Sequence, residues 1–275
     1  MFYDTSSYRL PMPGMRDDRD HAIVVLLPME SRRLIARGIL QMPEVERALD
    51  SGIVLVCRGI SSSYVVEELT DLRFDDRGHC TQGIVTDGRL ASTVMDKAIG
   101  PWVFRDGKLS DQPFAEALHE FTATDVAIKG ANAVDPDGNV GILSGAPDGA
   151  TIGMLWPIVT PRGSHLISAV GLEKLIPSVP DAAKRTGIHV IKHPMDIPVG
   201  LIPVTSSQVV TEIQALEILT GVTATHVASG GVAGSEGAVI LVVEGVEAVV
   251  LKAFELVQSI KGEAAVPMPE LAAGV

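Results

Sequence analysis

The chain has 275 residues, of which 46% are hydrophobic, 20% charged and 4% aromatic, and this indicates an ordinary globular protein with an aliphatic core, in one large domain or two modest ones. Its net charge of −12 argues against a nucleic-acid backbone or an anionic membrane surface as the main partner. An anionic small molecule remains compatible, because a helix N-terminus and a few basic groups are enough to bind one.

Cys57 and Cys80 are too few for a disulfide framework, so we predict free thiols in a reducing cytoplasm. No apolar run approaches about eighteen residues, and polar residues come before the first apolar run, so neither a membrane span nor a signal peptide is expected. His79 beside Cys80 has no recognised ligand spacing. We therefore predict no metal site and no cofactor.

The chain order predicts four parts: an N-terminal arm (1–20), an α/β ligand-binding domain (21–198), a small α+β domain (199–262) and a disordered tail (263–275). Strands and helices alternate through the second part, with strands predicted at 21–27, 53–57, 124–128, 165–170 and 188–191. A helix is predicted at 112–121, and another from Thr151 that breaks at Trp156-Pro157. Such alternation is typical of a mostly parallel sheet with helices on both faces.

Beyond residue 198 the predicted order becomes β-α-β-β-α, with strands at 199–204, 223–228 and 238–243 and helices at 206–219 and 246–260. This order is what a small ferredoxin-like α+β unit requires. The glycine-rich segment 229–237 is either a hairpin tip or a flexible lid. Because edge strands of such units often pair between protomers, we expect a homo-oligomer.

The first candidate binding segment joins the apolar strand at 53–57 to a helix through Arg58-Gly-Ile-Ser-Ser-Ser63. Backbone N–H groups at a helix start are unpaired and carry partial positive charge, so an anion binds there favourably. Simple N-capping by a serine is the alternative. The predicted ligand-binding residues here are Arg58, Gly59, Ser61, Ser62 and Ser63.

The second candidate segment is 125–153, where a short apolar run stops at Gly130 and a polar cluster with three later glycines follows. Ligands of open α/β sheets bind outside the carboxyl ends of the strands. The predicted catalytic residues are Asp135 for proton transfer, Asn132, and Lys129, which with Arg58 would stabilise negative charge. Further ligand contacts are predicted at Gly130, Ala131, Asn139, Ser144, Gly145, Gly149, Thr151, Glu173 and Lys174.

Each of these groups also has a simpler interpretation. Asp-Pro-Asp-Gly at 135–138 is a sequence that forms turns. Lys129 can be an exposed lysine at a strand end, and Glu173 and Lys174 can form a solvated helix start.

These segments resemble the superfamily that contains ribose-5-phosphate isomerase, glucosamine-6-phosphate deaminase and the CoA-transferases. Residues 58–63 look like its first phosphate-binding element and residues 125–139 like its second. Residues 170–177 are similar to a stretch in the lactate-utilisation proteins of the same superfamily. Asn132 stands where the isomerases carry aspartate, and an amide cannot act as a general base. No glutamate matches the CoA-transferase nucleophile motif.

The resemblance implies a protein that binds a phosphorylated or carboxylated small metabolite and isomerises or otherwise converts it, in a crevice at the C-terminal ends of the strands. A non-catalytic metabolite sensor is the first alternative, which Asn132 would permit. A CoA-ester transferase or hydrolase is the second.

Overall fold

The computed structural model describes residues 19–272, which form an α/β protein with several sheets, one of them mixed and containing parallel strands. In these residues the helices are α1 Pro28–Leu40, α2 Pro43–Ser51, α3 Ile60–Leu69, α4 Phe114–Glu120, α5 Ala150–Arg162, α6 Val179–Ala183, α7 Glu212–Thr220 and α8 Glu247–Ser259. The strands are β1 Asp20–Leu26, β2 Ile53–Val56, β3 Gly83–Thr86, β4 Arg89–Ser92, β5 Trp102–Arg105, β6 Lys108–Ser110, β7 Val126–Gly130, β8 Ala133–Val134, β9 Val140–Ser144, β10 His165–Ala169, β11 Gly200–Val204, β12 Gln208–Val210, β13 Thr223–Gly230 and β14 Ala238–Gly245. The predicted N-terminal arm, 1–20, lies outside the described residues except for its last two, and Asp20 begins β1.

The largest sheet has six strands in the order β12-β10-β7-β2-β5-β6. β12, β10, β7 and β2 run parallel to one another, whereas β5 is antiparallel to β2 and β6 is antiparallel to β5. Every residue of β2 is buried, which explains why its sequence is apolar without alternation. The buried carboxylate of Asp125 accepts the Ile53 N–H at 2.7 Å and so aligns the starts of β2 and β7.

A second sheet is antiparallel, in the order β1-β14-β13. β1 pairs with β14 along its whole length, and β11 pairs with β9 in a third sheet. Strands from both sides of the predicted boundary between residues 198 and 199 therefore share sheets. Pairing between strands as distant in the sequence as β1 and β14 leaves no local pattern, so a division of the sequence at 198–199 does not include it.

Each face of the six-stranded sheet is covered by its own core. On one face Val54, Ile128 and Ile167 pack with apolar side chains of α1, α3 and α7 and of the β1-β14-β13 sheet. On the other face Leu55 and Ala127 pack with those of α4 and α5. The face of the sheet toward which a side chain points therefore decides which helices it contacts.

Several predicted elements differ from the structure. Residues 188–191 form turns rather than a strand. α5 continues through Pro157 and Pro161 to Arg162. Its buried face, including Leu155 and Val159, offsets the cost of the two internal prolines, which is about 3 kcal/mol each. The first part of the helix predicted at 206–219 instead forms the edge strand β12, and α7 begins after Thr211, whose hydroxyl accepts the Ile213 N–H.

The C-terminal segment, predicted to be disordered from residue 263, is placed as far as residue 272. The Glu270 N–H donates to His79 Nε2 at 3.2 Å, and the Ala272 N–H donates to the Ser92 carbonyl at 2.8 Å. These backbone contacts hold a proline-rich segment that composition alone assigns to disorder. Both cysteines are free and buried. Over residues 19–272, no helix combines the length and apolar character needed to cross a bilayer.

Candidate functional site

The first turn of α3 places three serines at the edge of the sheet where β2 ends. Ser62 is fully buried, and its hydroxyl has no hydrogen-bond partner among the described residues. Ser63 is occupied, because its hydroxyl donates to the Ile60 carbonyl at 2.8 Å and accepts from Arg77 at 2.9 Å. Gly59 leaves room for Ser62, since a Cβ there would lie 3.3 Å from the Ser62 Oγ. Arg58 turns away, toward the His79 carbonyl.

The end of β7 lies beside this turn. A Cβ on Gly130 would be 3.9 Å from the Ser61 Cβ. Lys174, in the short 3-10 helix Leu172–Lys174 that follows β10, donates from Nζ to the Ala131 carbonyl at 2.9 Å. The structure therefore brings Ser61, Gly130, Ala131 and Lys174 to one edge, where β2, β7 and β10 end.

Two glutamates meet at the same edge, over Gly171. A Cβ on Gly171 would lie 1.8 Å from the Glu173 Oε2 and 3.0 Å from the Glu212 Oε1. Both oxygens of Glu173 and Oε1 of Glu212 are buried without a hydrogen-bond partner in the described part of the chain. Glu212 Oε2 accepts the Leu172 N–H at 2.9 Å. Buried polar atoms without partners are rare in folded proteins, so this cluster requires an explanation.

Two cationic side chains lie near the Glu173 carboxylate without forming a hydrogen bond to it. Arg32 Nη2, from α1, lies 3.6 Å from Glu173 Oε1, and Lys174 Nζ lies 4.0 Å from the same oxygen. The loop between β13 and β14 covers the cluster, because a Cβ on Gly237 would lie 3.8 Å from the Glu173 Cβ. Gly237 has a φ of +81°, which glycine adopts without strain.

Burial and the neighbouring Glu173 charge raise the pKa of Glu212 to about 7, against the opposing effects of the Ser31 hydroxyl and the Leu172 N–H. Burial also lowers the pKa of Lys174, although the Glu173 charge acts in the opposite direction. The site therefore holds a carboxyl group whose pKa is raised towards neutrality. Its neighbours include an ammonium group whose charge is disfavoured by burial.

The predicted catalytic residues Asp135 and Asn132 have structural roles instead. The buried Asp135 carboxylate accepts N–H groups of Asp137, Asn139 and Val179 and the Asn139 side-chain amide. Asn132 Oδ1 accepts the Leu143 N–H at 3.0 Å. These hydrogen bonds build the turn between β8 and β9, in agreement with the simpler interpretation of Asp-Pro-Asp-Gly as a turn sequence. They leave Asp135 without a free oxygen for proton transfer.

Lys129, the third predicted catalytic residue, lies on the opposite face of the sheet. It follows Ile128 in β7, and its charge acts on Cys57, which packs in the core beside α4 and α5. The predicted contacts at 144–151 are on this α5 side as well: Gly149 caps α5, Thr151 is in its first turn, and the Ser144 hydroxyl accepts the Ala146 N–H close to Gly145. They are not part of the glutamate cluster, which is formed by Glu173 and Glu212 beside Gly171.

Comparison with protein-family models, curated proteins and solved structures found no match to this chain. The superfamily resemblance therefore stays a prediction. Among the described residues, no group of three or more His, Cys, Asp or Glu side chains is arranged to hold a metal ion.

Ser31, Arg32 and Glu212 are part of the cluster, although sequence reasoning did not select them. Arg32 appears within an ordinary amphipathic helix. Glu212 occupies the first turn of α7, where an acidic residue is expected simply because it interacts favourably with the helix dipole. Only the packing of α1 and α7 beside the end of β10 shows that these side chains meet Glu173.

Proposed function

We propose that the chain binds a small phosphorylated or carboxylated metabolite at the edge where β2, β7 and β10 end, and transfers a proton on it, as a sugar-phosphate isomerase would. The observation that carries this proposal is the buried Glu212 with a free Oε1 and a pKa of about 7. General acids and bases are most effective when their pKa is near the working pH. Strongly shifted titratable groups concentrate at functional sites.

In this proposal the anionic group of the ligand binds to Arg32 and Lys174 and to the first turn of α3, where Ser62 has an unused hydroxyl. Arg32 and Lys174 are available because each approaches Glu173 only at 3.6 Å or more. Glu173 keeps both cations near the ligand and raises the pKa of Glu212. Glu212 then transfers a proton to or from the ligand.

We also propose the finer fold layout: a mostly parallel sheet with helices on both faces and a small ferredoxin-like unit, as in the superfamily named above. Three parallel pairings support the first part, and the β13–β14 hairpin between α7 and α8 supports the second. In that unit β1 is an added strand from the start of the chain. The exposed apolar side chains Ile23 and Val227 on the β1-β14-β13 sheet favour a homo-oligomer. The net charge of −12 continues to disfavour nucleic acid or a membrane as the partner.

Solvent exchange tests the proton transfer without knowledge of the product. The protein is incubated in D2O with a panel of sugar phosphates and hydroxy or keto acids, and deuterium in the recovered compounds is measured by mass spectrometry. We expect one class of compound to gain deuterium with wild-type protein. The variants Glu212→Gln and Glu173→Gln should lose this exchange, whereas Glu217→Gln, on the exposed side of α7, should retain it.

Thermal stability measured with the same panel separates binding from chemistry. A ligand of the native state raises the melting temperature, since it stabilises that state by RT ln(1 + [L]/Kd). If no compound at millimolar concentration raises the melting temperature or gains deuterium, the proposal is wrong. Exchange that survives in Glu212→Gln would remove Glu212 from the mechanism.

A metabolite sensor is the second candidate. It is favoured by the hydrogen bonds that occupy Asp135, the predicted proton-transfer group, and Asn132, which stands where the isomerases carry aspartate. A sensor would show a raised melting temperature with a ligand and no deuterium exchange.

The CoA-ester alternative rests on the two free oxygens of Glu173, since a carboxylate of this kind can act as a nucleophile. Incubation with acyl-CoA and hydroxylamine should then label Glu173, and peptide mapping would detect the hydroxamate.

A further inference from the structure

A cavity of about 320 Å³, whose lining does not include Glu173 or Glu212, lies between the β3–β4 hairpin and residues 186–199. Its wall is mainly apolar and includes Leu90, Ile191, Ile197 and Val199. Its volume is near the lower end of the range for small-molecule sites, which is about 300–1,000 Å³. The cavity therefore has room for a compact apolar group.

The rim of this cavity combines exposed apolar surface with positive charge. Met195 is 72% exposed and Val85 is 66% exposed. Arg89 and His193 also line the opening. Within the described residues Arg89 forms no ion pair, so its charge is available to a ligand.

The surrounding segment is basic in a strongly acidic protein. Residues 184–199 contain three cations and two histidines against a single acid, Asp196, whereas the whole chain has a net charge of −12. Lys184 is paired with Asp181 at 2.9 Å, but Lys192 and Arg185 have no ion-pair partner among the residues described. The local charge therefore attracts anions.

We propose that this cavity is a second ligand site, separate from the glutamate cluster, which binds a medium-chain carboxylate with its alkyl chain against Ile191 and Ile197 and its carboxylate at Arg89 and His193. The apolar wall would hold the alkyl chain of the ligand, because burying methylenes is favourable. Arg89 would hold the carboxylate of the ligand, because a guanidinium binds a carboxylate through charge-assisted hydrogen bonds. The proposal does not depend on the proton-transfer function.

Isothermal titration of the full chain with octanoate tests this site. We expect saturable binding at one site, with affinity rising about fourfold for each methylene from butanoate to octanoate. Acetate, octanol and octyltrimethylammonium should bind at least tenfold more weakly, because each lacks either the chain or the negative charge. Amide NMR shifts should concentrate at Leu90, Ile191 and Met195.

Two variants and two controls complete the test. Arg89→Gln and Ile191→Asp should each weaken octanoate binding about tenfold or more. Arg47→Gln, which removes an exposed arginine from α2, and Glu173→Gln should leave the affinity unchanged. No binding of octanoate, equal binding of octanol, or wild-type affinity in Arg89→Gln would each overturn the proposal. Loss of octanoate binding in Glu173→Gln would also overturn it, because the ligand would then occupy the glutamate cluster.

Discussion

Replacement of Glu212 by glutamine should make the protein more stable at neutral and alkaline pH. The pKa of Glu212 is raised from 4.5 to about 7 in the folded protein. A carboxyl group of this kind contributes stability that is fully present below pH 4.5 and is lost as the pH rises through about 7, because the unfolded chain ionises first. Glutamine does not ionise, so the variant does not lose this stability.

The size of the effect follows from the pKa difference. Each unit corresponds to about 1.4 kcal/mol, so the shift from 4.5 to about 7 amounts to about 3 kcal/mol once the pH exceeds the folded pKa. No correction for solvent exposure is needed, since Glu212 has 0% relative exposure. The glutamine oxygen can still accept the Leu172 N–H, and its amide can donate to the unpartnered Glu173 carboxylate.

Urea denaturation at several pH values from 5 to 8 measures this effect. The free energy of unfolding of Glu212→Gln minus that of wild type should grow by about 2 to 3 kcal/mol across this range. Glu217→Gln, an exposed change in the same helix, should differ from wild type by about 0.5 kcal/mol or less at every pH. A constant difference between Glu212→Gln and wild type from pH 5 to 8 would refute the raised pKa.

Three further substitutions have expected outcomes. Gly171→Ala should abolish solvent exchange with little change in melting temperature, because the new Cβ displaces the Glu173 carboxylate, which lies 1.8 Å from its position. The control is Gly83→Ala, whose new Cβ meets nothing within 4 Å. Full exchange in Gly171→Ala would contradict the proposed role of Glu173 in proton transfer. Arg33→Ala should cost about 2–3 kcal/mol in urea denaturation, because it removes one of the two 2.7 Å ion pairs of the buried Glu67, the other being to Arg77, together with the pairs to Glu68 and Glu263. The more exposed Arg37→Ala should cost about 1 kcal/mol or less, and equal costs would show that the buried network adds nothing. Gly78→Ala should release the C-terminal segment, since the new Cβ would lie 2.7 Å from the Pro267 carbonyl oxygen; limited proteolysis should then cut after residue 262 faster than in wild type, and an unchanged rate would show that the segment adapts.

Much of the secondary structure could be predicted because it depends on local patterns. The apolar run at 53–57 gives β2, and the runs at 223–228 and 238–243 give β13 and β14. The coarse α/β class follows from the alternation of these elements. The pairing of β1 with β14 could not be predicted, because strand order depends on long-range contacts that leave no local signal.

The candidate site was predictable only in part, for the same reason. A glycine and serine loop after a buried strand indicates the α3 turn, and the carboxyl ends of parallel strands indicate the edge at Gly130. Asp135 and Asn132 have the residue types of a catalytic site, but turns use the same residues for hydrogen bonds to backbone N–H groups. Hydrogen bonding distinguishes the two uses: both oxygens of Asp135 accept hydrogen bonds, whereas Glu212 Oε1 accepts none from the described residues. Such contacts cannot be read from a sequence.

The most direct test of the central claim is a 13C NMR titration of the glutamate side-chain carboxyl groups between pH 4 and 9. We predict one carboxyl signal that titrates near pH 7, present in wild type and in Glu217→Gln and absent in Glu212→Gln. If every glutamate signal instead titrates near the ordinary value of 4.5, Glu212 is fully ionised at neutral pH, and the proposed proton transfer at this site is contradicted.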